Sequence, residues 1–179
     1  MRVAVVGAGA WGTTVASMLA VSADTVLWAR EPEVAAAVND ASTNPVYLAD
    51  VALTPALVAT NDLATAVEGA EVIVLAVPAQ YVRGVAADLD GLVAADVPLV
   101  SLAKGIERGT LLRPTQVVAE VLPGHDPGRI GVISGPNLAR EVGAGQSAAT
   151  VVALGDPGAA AQVQALLMTV RFRAYTSDD

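Results

Sequence analysis

The chain has 179 residues, enough for one generous domain. It is 54% apolar and 16% charged, which excludes a disordered chain, and its formal net charge of −8 argues against nucleic acid as a partner, because a polyanion needs a basic surface. The absence of cysteine excludes disulfides, thiolate metal sites and a cysteine nucleophile.

Short apolar runs alternate with helical segments along most of the chain, which is typical of βαβ units in a parallel sheet. The predicted strands are 3–6, 25–28, 57–59, 71–77, 97–102 and 129–133. The predicted helices between them are 11–21, 32–40, 62–67 (with Asn61 or Asp62 as its cap), 80–89 and 110–122, and residues 43–55 are predicted to form a loop. This order predicts an α/β fold, a Rossmann-type doubly wound, mostly parallel sheet.

The last quarter of the chain has a different pattern. Two strand-like runs, 148–154 and 172–175, flank a helix at 157–167, and these strands need not continue the parallel order. No repeat or low-complexity linker divides the chain, so we expect one domain over residues 1–179. No stretch has the length and apolarity of a membrane span, so we expect a soluble, cytoplasmic protein with no membrane insertion.

The strongest motif is the run Gly7-Ala8-Gly9-Ala10-Trp11-Gly12, which follows the first strand and opens the first helix. In a G-x-G-x-x-G turn, Gly7 allows the tight bend, Gly9 lets the backbone approach a pyrophosphate, and Gly12 lets the helix pack closely on the strand. The phosphates then bind at the N-terminus of the helix. The motif therefore predicts binding of NAD(H) or NADP(H), and the alternative is a glycine turn that binds no dinucleotide.

The choice between the two cofactors depends on the end of the second strand. A carboxylate there favours NAD, and a nearby arginine can pair with the 2′-phosphate of NADP. The chain has Trp28-Ala29-Arg30-Glu31 at this point. Arg30 thus somewhat favours NADPH, unless it is a solvated arginine beside Glu31.

Two further turns follow predicted strands at the edge where open α/β sheets bind ligands. The first, Ser101-Leu102-Ala103-Lys104-Gly105, contains the single lysine of the chain. An ammonium group suits a phosphate or a polarised carbonyl oxygen, whereas the alternative is an ordinary surface lysine. The second turn, Ile133-Ser134-Gly135-Pro136-Asn137, offers hydrogen-bond donors, and Asn137 could alternatively cap a helix.

The single histidine, His125, lies in a loop rich in turn residues. We expect it to be solvated rather than catalytic, and with no second histidine we expect no metal site.

Taken together, these residues resemble the bacterial-type NAD(P)-dependent glycerol-3-phosphate dehydrogenases. The resemblance rests on the glycine motif and on four further segments in the family's order, namely Val26-Leu-Trp-Ala-Arg30, Val74-Leu-Ala-Val-Pro78, Ser101-Leu-Ala-Lys-Gly105, and Ile133-Ser-Gly-Pro-Asn137 with Ala139-Arg-Glu141. It implies an oxidoreductase that interconverts sn-glycerol 3-phosphate and dihydroxyacetone phosphate for phospholipid supply.

The resemblance also implies roles for individual residues. The cofactor would contact Gly7, Gly9, Ala10, Trp11, Gly12, Arg30, Pro78, Lys104 and Ala139. The phosphorylated three-carbon substrate would contact Lys104, Gly135 and Asn137, with Lys104 stabilising charge as the catalytic residue. Asn137 stands where many relatives have Ser or Thr, which keeps a hydrogen-bonding side chain.

The length of the chain departs from the family pattern. Family members continue into a C-terminal helical domain that carries the general acid/base lysine, and we expect that domain to be missing here, so that the chain binds cofactor with little turnover. A homodimer is a further expectation. The rival hypotheses are a stand-alone NAD(P)-binding or sensing module without catalysis, and another two-domain reductase of the ketopantoate or hydroxyacyl-CoA type.

Overall fold

The computed structural model describes residues 1–178, which form one eight-stranded sheet with helices on both faces. The strands are β1 (Arg2–Val6), β2 (Asp24–Trp28), β3 (Val58–Thr60), β4 (Val72–Leu75), β5 (Leu99–Ser101), β6 (Ile130–Ser134), β7 (Ala148–Ala153) and β8 (Phe172–Ser177). The helices are α1 (Ala10–Leu19), α2 (Pro32–Ala41), α3 (Leu63–Val67), α4 (Val82–Asp88), α5 (Pro114–Val121), α6 (Ala139–Gly143) and α7 (Pro157–Leu167). Short 3-10 helices lie at Ala79–Tyr81 and Pro127–Arg129.

The strand order is β3-β2-β1-β4-β5-β6-β7-β8. The chain winds outward from β1 in one direction, crosses back to β4 and then winds in the other direction. The carboxyl ends of β1 and β4 therefore form a switch point, where open α/β sheets bind ligands. The doubly wound, mostly parallel sheet predicted from the sequence is confirmed.

The core consists of two apolar layers, one on each face of the sheet. Alternation along β1 divides its side chains between them, so that Val3 and Val5 face one layer while Ala4 and Val6 face the other. All four are fully buried, as expected for a central parallel strand covered by helices on both faces. This rigid centre places the end of β1 at the switch point.

The helix boundaries follow the local sequence. Asp62 caps α3 by accepting a hydrogen bond from the Thr65 backbone N–H at 2.6 Å, and Pro32 occupies the first turn of α2. Helix α5 begins at Pro114, four residues later than expected, because a proline is tolerated only at the start of a helix. Within residues 1–178, no helix has the length and apolar character needed to cross a membrane.

The end of the sheet departs from the parallel order. Strand β7 pairs antiparallel with β6, through Ile133 opposite Val152, and β8 then pairs parallel with β7. The sequence pattern left this direction open. The turn at residues 133–137 suggested a following helix, and α6 is that helix. Its bounds were not predicted, since its five residues are too few for a period to be visible.

The expectation of a solvated His125 is wrong. The side chain is buried, and its Nε2 lies 2.8 Å from the backbone carbonyl of Val97. Its backbone N–H also donates to Leu122. His125 thus ties the loop after α5 to the segment before β5, far from the switch point, which is a structural role that loop composition does not reveal.

Candidate functional site

The glycine turn between β1 and α1 leaves no room for side chains at two of its three glycines. Gly7 has a φ of +124°, which disfavours other residues, and a Cβ there would lie 2.9 Å from the Ala76 carbonyl group. A Cβ on Gly12 would lie 2.0 Å from the Gly7 carbonyl oxygen. A Cβ on Gly9 would meet nothing within 4 Å. Two glycines therefore build the turn, and the third leaves its outer surface open.

Helix α1 begins at this open surface. No side chain caps its N-terminus, where Gly9 is the N-cap residue. The first N–H groups of a helix have no partner within the helix, and the helix dipole is positive at this end. The arrangement can bind an anion such as a pyrophosphate.

A cleft of about 520 Å³ extends from this turn across the switch point. It brings together most of the residues singled out in the sequence, namely Gly7, Gly9, Trp11, Arg30, Pro78, Lys104 and Asn137. Four others do not line it. Gly12 is buried in the turn, and Ala10 is the first residue of α1. Gly135 lies in the turn after β6, and Ala139 is the first residue of α6.

Lys104 bridges the two turns that follow β5 and β6. Its Nζ lies 3.4 Å from the Gly135 carbonyl oxygen, and its side chain is exposed in the cleft. The ammonium group has three donors, so one weak contact leaves donors for a ligand. Gly135 itself is confined, since a Cβ there would lie 2.7 Å from the Ala149 carbonyl oxygen.

Asn137 is the most unusual polar group of the cleft. The residue is only 8% exposed, and its Oδ1 is buried without a hydrogen-bond partner among residues 1–178. Its backbone N–H donates to Gly135 O at 2.8 Å. The interpretation of Asn137 as a helix cap is wrong, because the N-cap of α6 is Leu138 and no side chain caps that helix. A buried acceptor without a partner costs free energy, which a ligand with a donor group would recover.

Ala139 is held in place by α1. The Thr14 hydroxyl lies 3.1 Å from the Ala139 carbonyl oxygen and 3.0 Å from that of Ala10. The start of α6 and the start of α1 are thus joined through one side chain. Both lie directly beside the wall of the cleft that Trp11 and Asn137 line.

The far end of the cleft holds a charged cluster at the end of β2. Arg30 donates from Nη2 and Nε to Glu31 Oε1, at 2.7 and 3.2 Å. The Tyr47 hydroxyl donates to the same oxygen at 3.3 Å. The hydrogen bond from Arg30 is the main reason that the pKa of the Glu31 carboxyl is lowered and that of Arg30 is raised. Arg30 is both exposed and paired with Glu31, as the solvated alternative had it.

Asn44 has a role that the sequence alone did not indicate. It is fully buried in the loop after α2, and its Nδ2 donates to Ala8 O at 2.9 Å and to Thr13 Oγ1 at 2.8 Å. Its Oδ1 accepts from the Tyr47 backbone N–H at 3.1 Å. This one side chain fastens the loop to the glycine turn and brings Tyr47 to the cleft. An asparagine in a turn-rich segment was the only available signal.

A second missed group connects the β4 and β5 loops. Arg83 of α4 binds Glu107 through two hydrogen bonds of 2.9 Å and contacts Glu120 at 3.0 Å. The Gln80 side chain donates to Ile106 O and accepts from the Arg108 backbone N–H, at 2.8 and 2.9 Å. We call the contacts of Gln80 and Arg83 with residues 106–108 the loop clamp. Since residue 106 lies two positions after Lys104, the clamp holds the turn that carries the lysine.

Comparison with known proteins agrees with this geometry. Residues 2–160 match the family model described as "NAD-dependent glycerol-3-phosphate dehydrogenase N-terminus". A glycerol-3-phosphate dehydrogenase [NAD(P)+] from Nocardia farcinica is 51% identical over 99% of this chain and 54% of its own length. One from Mycobacterium leprae is 48% identical over 99% of this chain and 52% of its own length. The chain thus spans about half the length of the curated relatives it matches.

Solved structures give the same result. The crystal structure of glycerol-3-phosphate dehydrogenase from Coxiella burnetii superposes with a TM-score of 0.89 at 30% identity, over 99% of this chain and 54% of that one. A ketopantoate reductase from Ralstonia eutropha superposes with a TM-score of 0.67 at 20% identity, over 100% of this chain and 57% of that one, which shows a shared fold alone. With its glycine turn, its lysine turn and a family match over most of its length, the chain belongs to the NAD-dependent glycerol-3-phosphate dehydrogenase N-terminus family.

Proposed function

We propose that this chain binds NAD(H) or NADP(H) in the cleft and supplies the cofactor half of a glycerol-3-phosphate dehydrogenase site. The observation that carries the proposal is one cleft that combines the open glycine turn with Lys104 and Asn137. The reaction is the interconversion of sn-glycerol 3-phosphate and dihydroxyacetone phosphate. The domain assignment rests on the single sheet, which runs from Arg2 to Ser177.

The residues present fit a dinucleotide. The open N-terminus of α1 would hold the pyrophosphate at Gly9, Ala10 and Trp11, while Arg30 and Pro78 would line the adenosine side. The unpartnered Asn137 Oδ1 is an acceptor for a donor group on the substrate side of the site. Gly135 would act on the same side through its carbonyl oxygen, which contacts Lys104 Nζ, and Ala139 would lie towards the nicotinamide. The nicotinamide supplies or accepts a hydride when it is bound.

Lys104 is the residue to which we assign charge stabilisation. Reduction of a ketone places negative charge on its oxygen, and a positioned ammonium stabilises that charge in a site shielded from water. The other charged side chains of the cleft, Arg30 and Glu31, pair with each other at its far end. A positioned general acid raises the rate by about 10²–10⁴-fold, and the resemblance assigns that role to a lysine in the family's C-terminal domain. We therefore propose that this chain alone shows little turnover. The cytoplasmic location remains a prediction from the sequence.

A fluorescence titration tests cofactor binding directly. Both tryptophans of the chain, Trp11 and Trp28, line the cleft, so bound NADH or NADPH should quench their emission. We expect saturable quenching by at least one of the two reduced cofactors, and Gly9→Val should abolish it. A wild-type chain that binds neither cofactor at about 1 mM, the upper end of the typical KM range, contradicts the proposal.

The assignment of Lys104 has its own test. In the wild-type chain, dihydroxyacetone phosphate should tighten NADPH binding or protect Lys104 from amine acetylation. Lys104→Met should remove the effect of the phosphate substrate and leave the fold unchanged, since the side chain is exposed and its one hydrogen bond to residues 1–178 is the 3.4 Å contact with Gly135. Arg108→Met, in the same loop, is the matched control. Equal effects of the two substitutions would contradict a specific role for the lysine.

A further inference from the structure

The charged cluster at the end of β2 bears on which of the two cofactors the cleft prefers. NADPH differs from NADH by a phosphate on the 2′-oxygen of the adenosine ribose, and an arginine near the end of the second strand is the group that accommodates it. Arg30 stands at that point, but its guanidinium is already paired with Glu31 through two donors. A 2′-phosphate must therefore compete with a carboxylate for the same cation.

The two partners differ in how firmly they are held. The Arg30 side chain is 72% exposed, whereas that of Glu31 is 26% exposed. Glu31 is the N-cap residue of α2, and its carboxylate has a second donor in the Tyr47 hydroxyl at 3.3 Å. The backbone of Tyr47 is held by Asn44, which in turn binds the glycine turn. The carboxylate is thus the fixed group of the pair, and the guanidinium is the group free to move.

This difference decides what each cofactor encounters. NADH has hydroxyl groups on its adenosine ribose, and a fixed carboxylate can accept hydrogen bonds from them. NADH therefore leaves the Arg30–Glu31 pair intact. NADPH brings a phosphate of about −1.5 to −2 charges, like that of other phosphate monoesters, beside a carboxylate of the same sign. The 2′-phosphate can bind Arg30 only if the Arg30–Glu31 ion pair breaks, and it then lies close to an unpaired Glu31 carboxylate.

We propose that Glu31 is the specificity-determining residue of this cleft and that it biases the chain toward NADH by occupying Arg30. The inference rests on the proposed function, because it concerns the affinity of the same cleft for two related cofactors. It reverses the preference for NADPH that Arg30 alone suggests from the sequence.

The test compares dissociation constants for NADPH and NADH by tryptophan quenching in the wild-type chain, Glu31→Gln and Glu33→Gln. Glu33 lies two residues away in the exposed first turn of α2, so its substitution changes the net charge equally without touching Arg30. We expect Glu31→Gln to bind NADPH about two- to fivefold more tightly, the range of an exposed ion pair, and NADH no more tightly than the wild-type chain. Glu33→Gln should leave the ratio of the two constants unchanged.

Repeating the Glu31→Gln substitution in a chain that also lacks Arg30 separates the effect on the ion pair from general effects on the fold. In Arg30→Met, NADPH binding should weaken, and adding Glu31→Gln should recover much less NADPH affinity than it adds beside the intact arginine. At about 0.5 M salt the wild-type preference should shrink, because exposed charges are screened. An unchanged NADPH/NADH ratio in Glu31→Gln, or an equal change in Glu33→Gln, overturns the inference. Failure of the proposed function looks different, since the wild-type chain would then bind neither cofactor.

Discussion

Single glycines in the turn after β1 have separable effects on stability and on binding. Gly12→Ala should destabilise the chain by about 1–3 kcal/mol, because its Cβ would lie 2.0 Å from the Gly7 carbonyl oxygen and the helix would have to shift. Gly9→Ala should leave the free energy of unfolding nearly unchanged, because its φ of −63° suits any residue and a Cβ there meets nothing.

Urea unfolding and cofactor titration together check this pair. Gly9→Ala should fold like the wild-type chain yet bind NADH at least tenfold more weakly, since a methyl group projects where the pyrophosphate approaches. A Gly9→Ala chain that binds normally would show that the phosphates do not pass this residue. Normal stability in Gly12→Ala would show that the contact with Gly7 is relaxed at little cost.

The predictability of single residues depends on how local their roles are. The positions of Gly7, Lys104 and Asn137 at one edge follow from strand ends, so the sequence predicted that they lie together, and the cleft confirms this placement. Asn44 acts on Ala8, 36 positions away, through one side chain that leaves no periodic trace in the sequence. Such contacts between distant residues can be identified only from the folded structure.

At the scale of elements, the loop clamp between α4 and the β5 loop should govern the behaviour of Lys104. Arg83→Met removes three hydrogen bonds, to Glu107 and Glu120, and should loosen the turn that carries the lysine. Because the chain has one lysine, its rate of acetylation is read by peptide mass spectrometry without ambiguity. We expect faster acetylation of Lys104 and weaker NADH binding.

Arg108→Met is again the control for this prediction, because it removes a cation from the same loop while Gln80 still binds its backbone. A merely structural role for the clamp would lower the melting temperature and leave the acetylation rate in the folded state unchanged. That result would show that the loop clamp stabilises the fold without controlling Lys104 in the cleft.

The clamp also predicts how stability depends on pH. The hydrogen bonds from Arg83, and after them Thr110, lower the pKa of Glu107 from 4.5 to about 2. A carboxyl whose pKa is lower in the folded state stabilises the fold above its unfolded pKa and loses that effect as the pH falls through the folded value. The wild-type chain should therefore lose its advantage over Glu107→Gln between about pH 4.5 and pH 2. Urea unfolding across this range measures it, and a constant difference would contradict the assignment.

Elements were predictable where the period of the sequence was long enough to read. Strands β1 and β4 and helix α1 follow from apolar runs bounded by glycine or proline. The direction of β7 was not predictable, because the same apolar residues fit a parallel or an antiparallel neighbour. The turn after β6 with the short helix α6 decides it, and no apolar period marks the length of that helix.

For the whole molecule, the uncovered face of the last two strands predicts association. Val151 and Tyr175 lie opposite each other in the β7–β8 register, and both side chains are exposed. Exposed apolar patches are typical of surfaces that bind other proteins. For the wild-type chain, we expect the apparent mass in light scattering to rise with protein concentration. For the double variant Val151→Lys/Tyr175→Lys, we expect it to stay at the mass of a monomer.

Val21→Lys supplies the control for this experiment, since Val21 is exposed just after α1 and lines a groove with Phe172, which faces the opposite side of β8 from Tyr175. A wild-type chain that stays monomeric at every concentration would favour the rival hypothesis of a stand-alone binding module. If Val21→Lys abolished association as fully as Val151→Lys/Tyr175→Lys does, the contact between chains would not be specific to the exposed face of β7 and β8.

The reversal of direction at β7 has a practical consequence for measuring this protein. Strand β1 starts at the amino edge of the parallel strands, and β8, antiparallel to β6, runs toward that same edge. The cleft lies at the opposite edge, beyond the carboxyl ends of β1 and β4. A biosensor surface attached through the amino end of the chain would therefore leave the cleft facing the flowing solution, so immobilisation and ligand exchange would not interfere with each other.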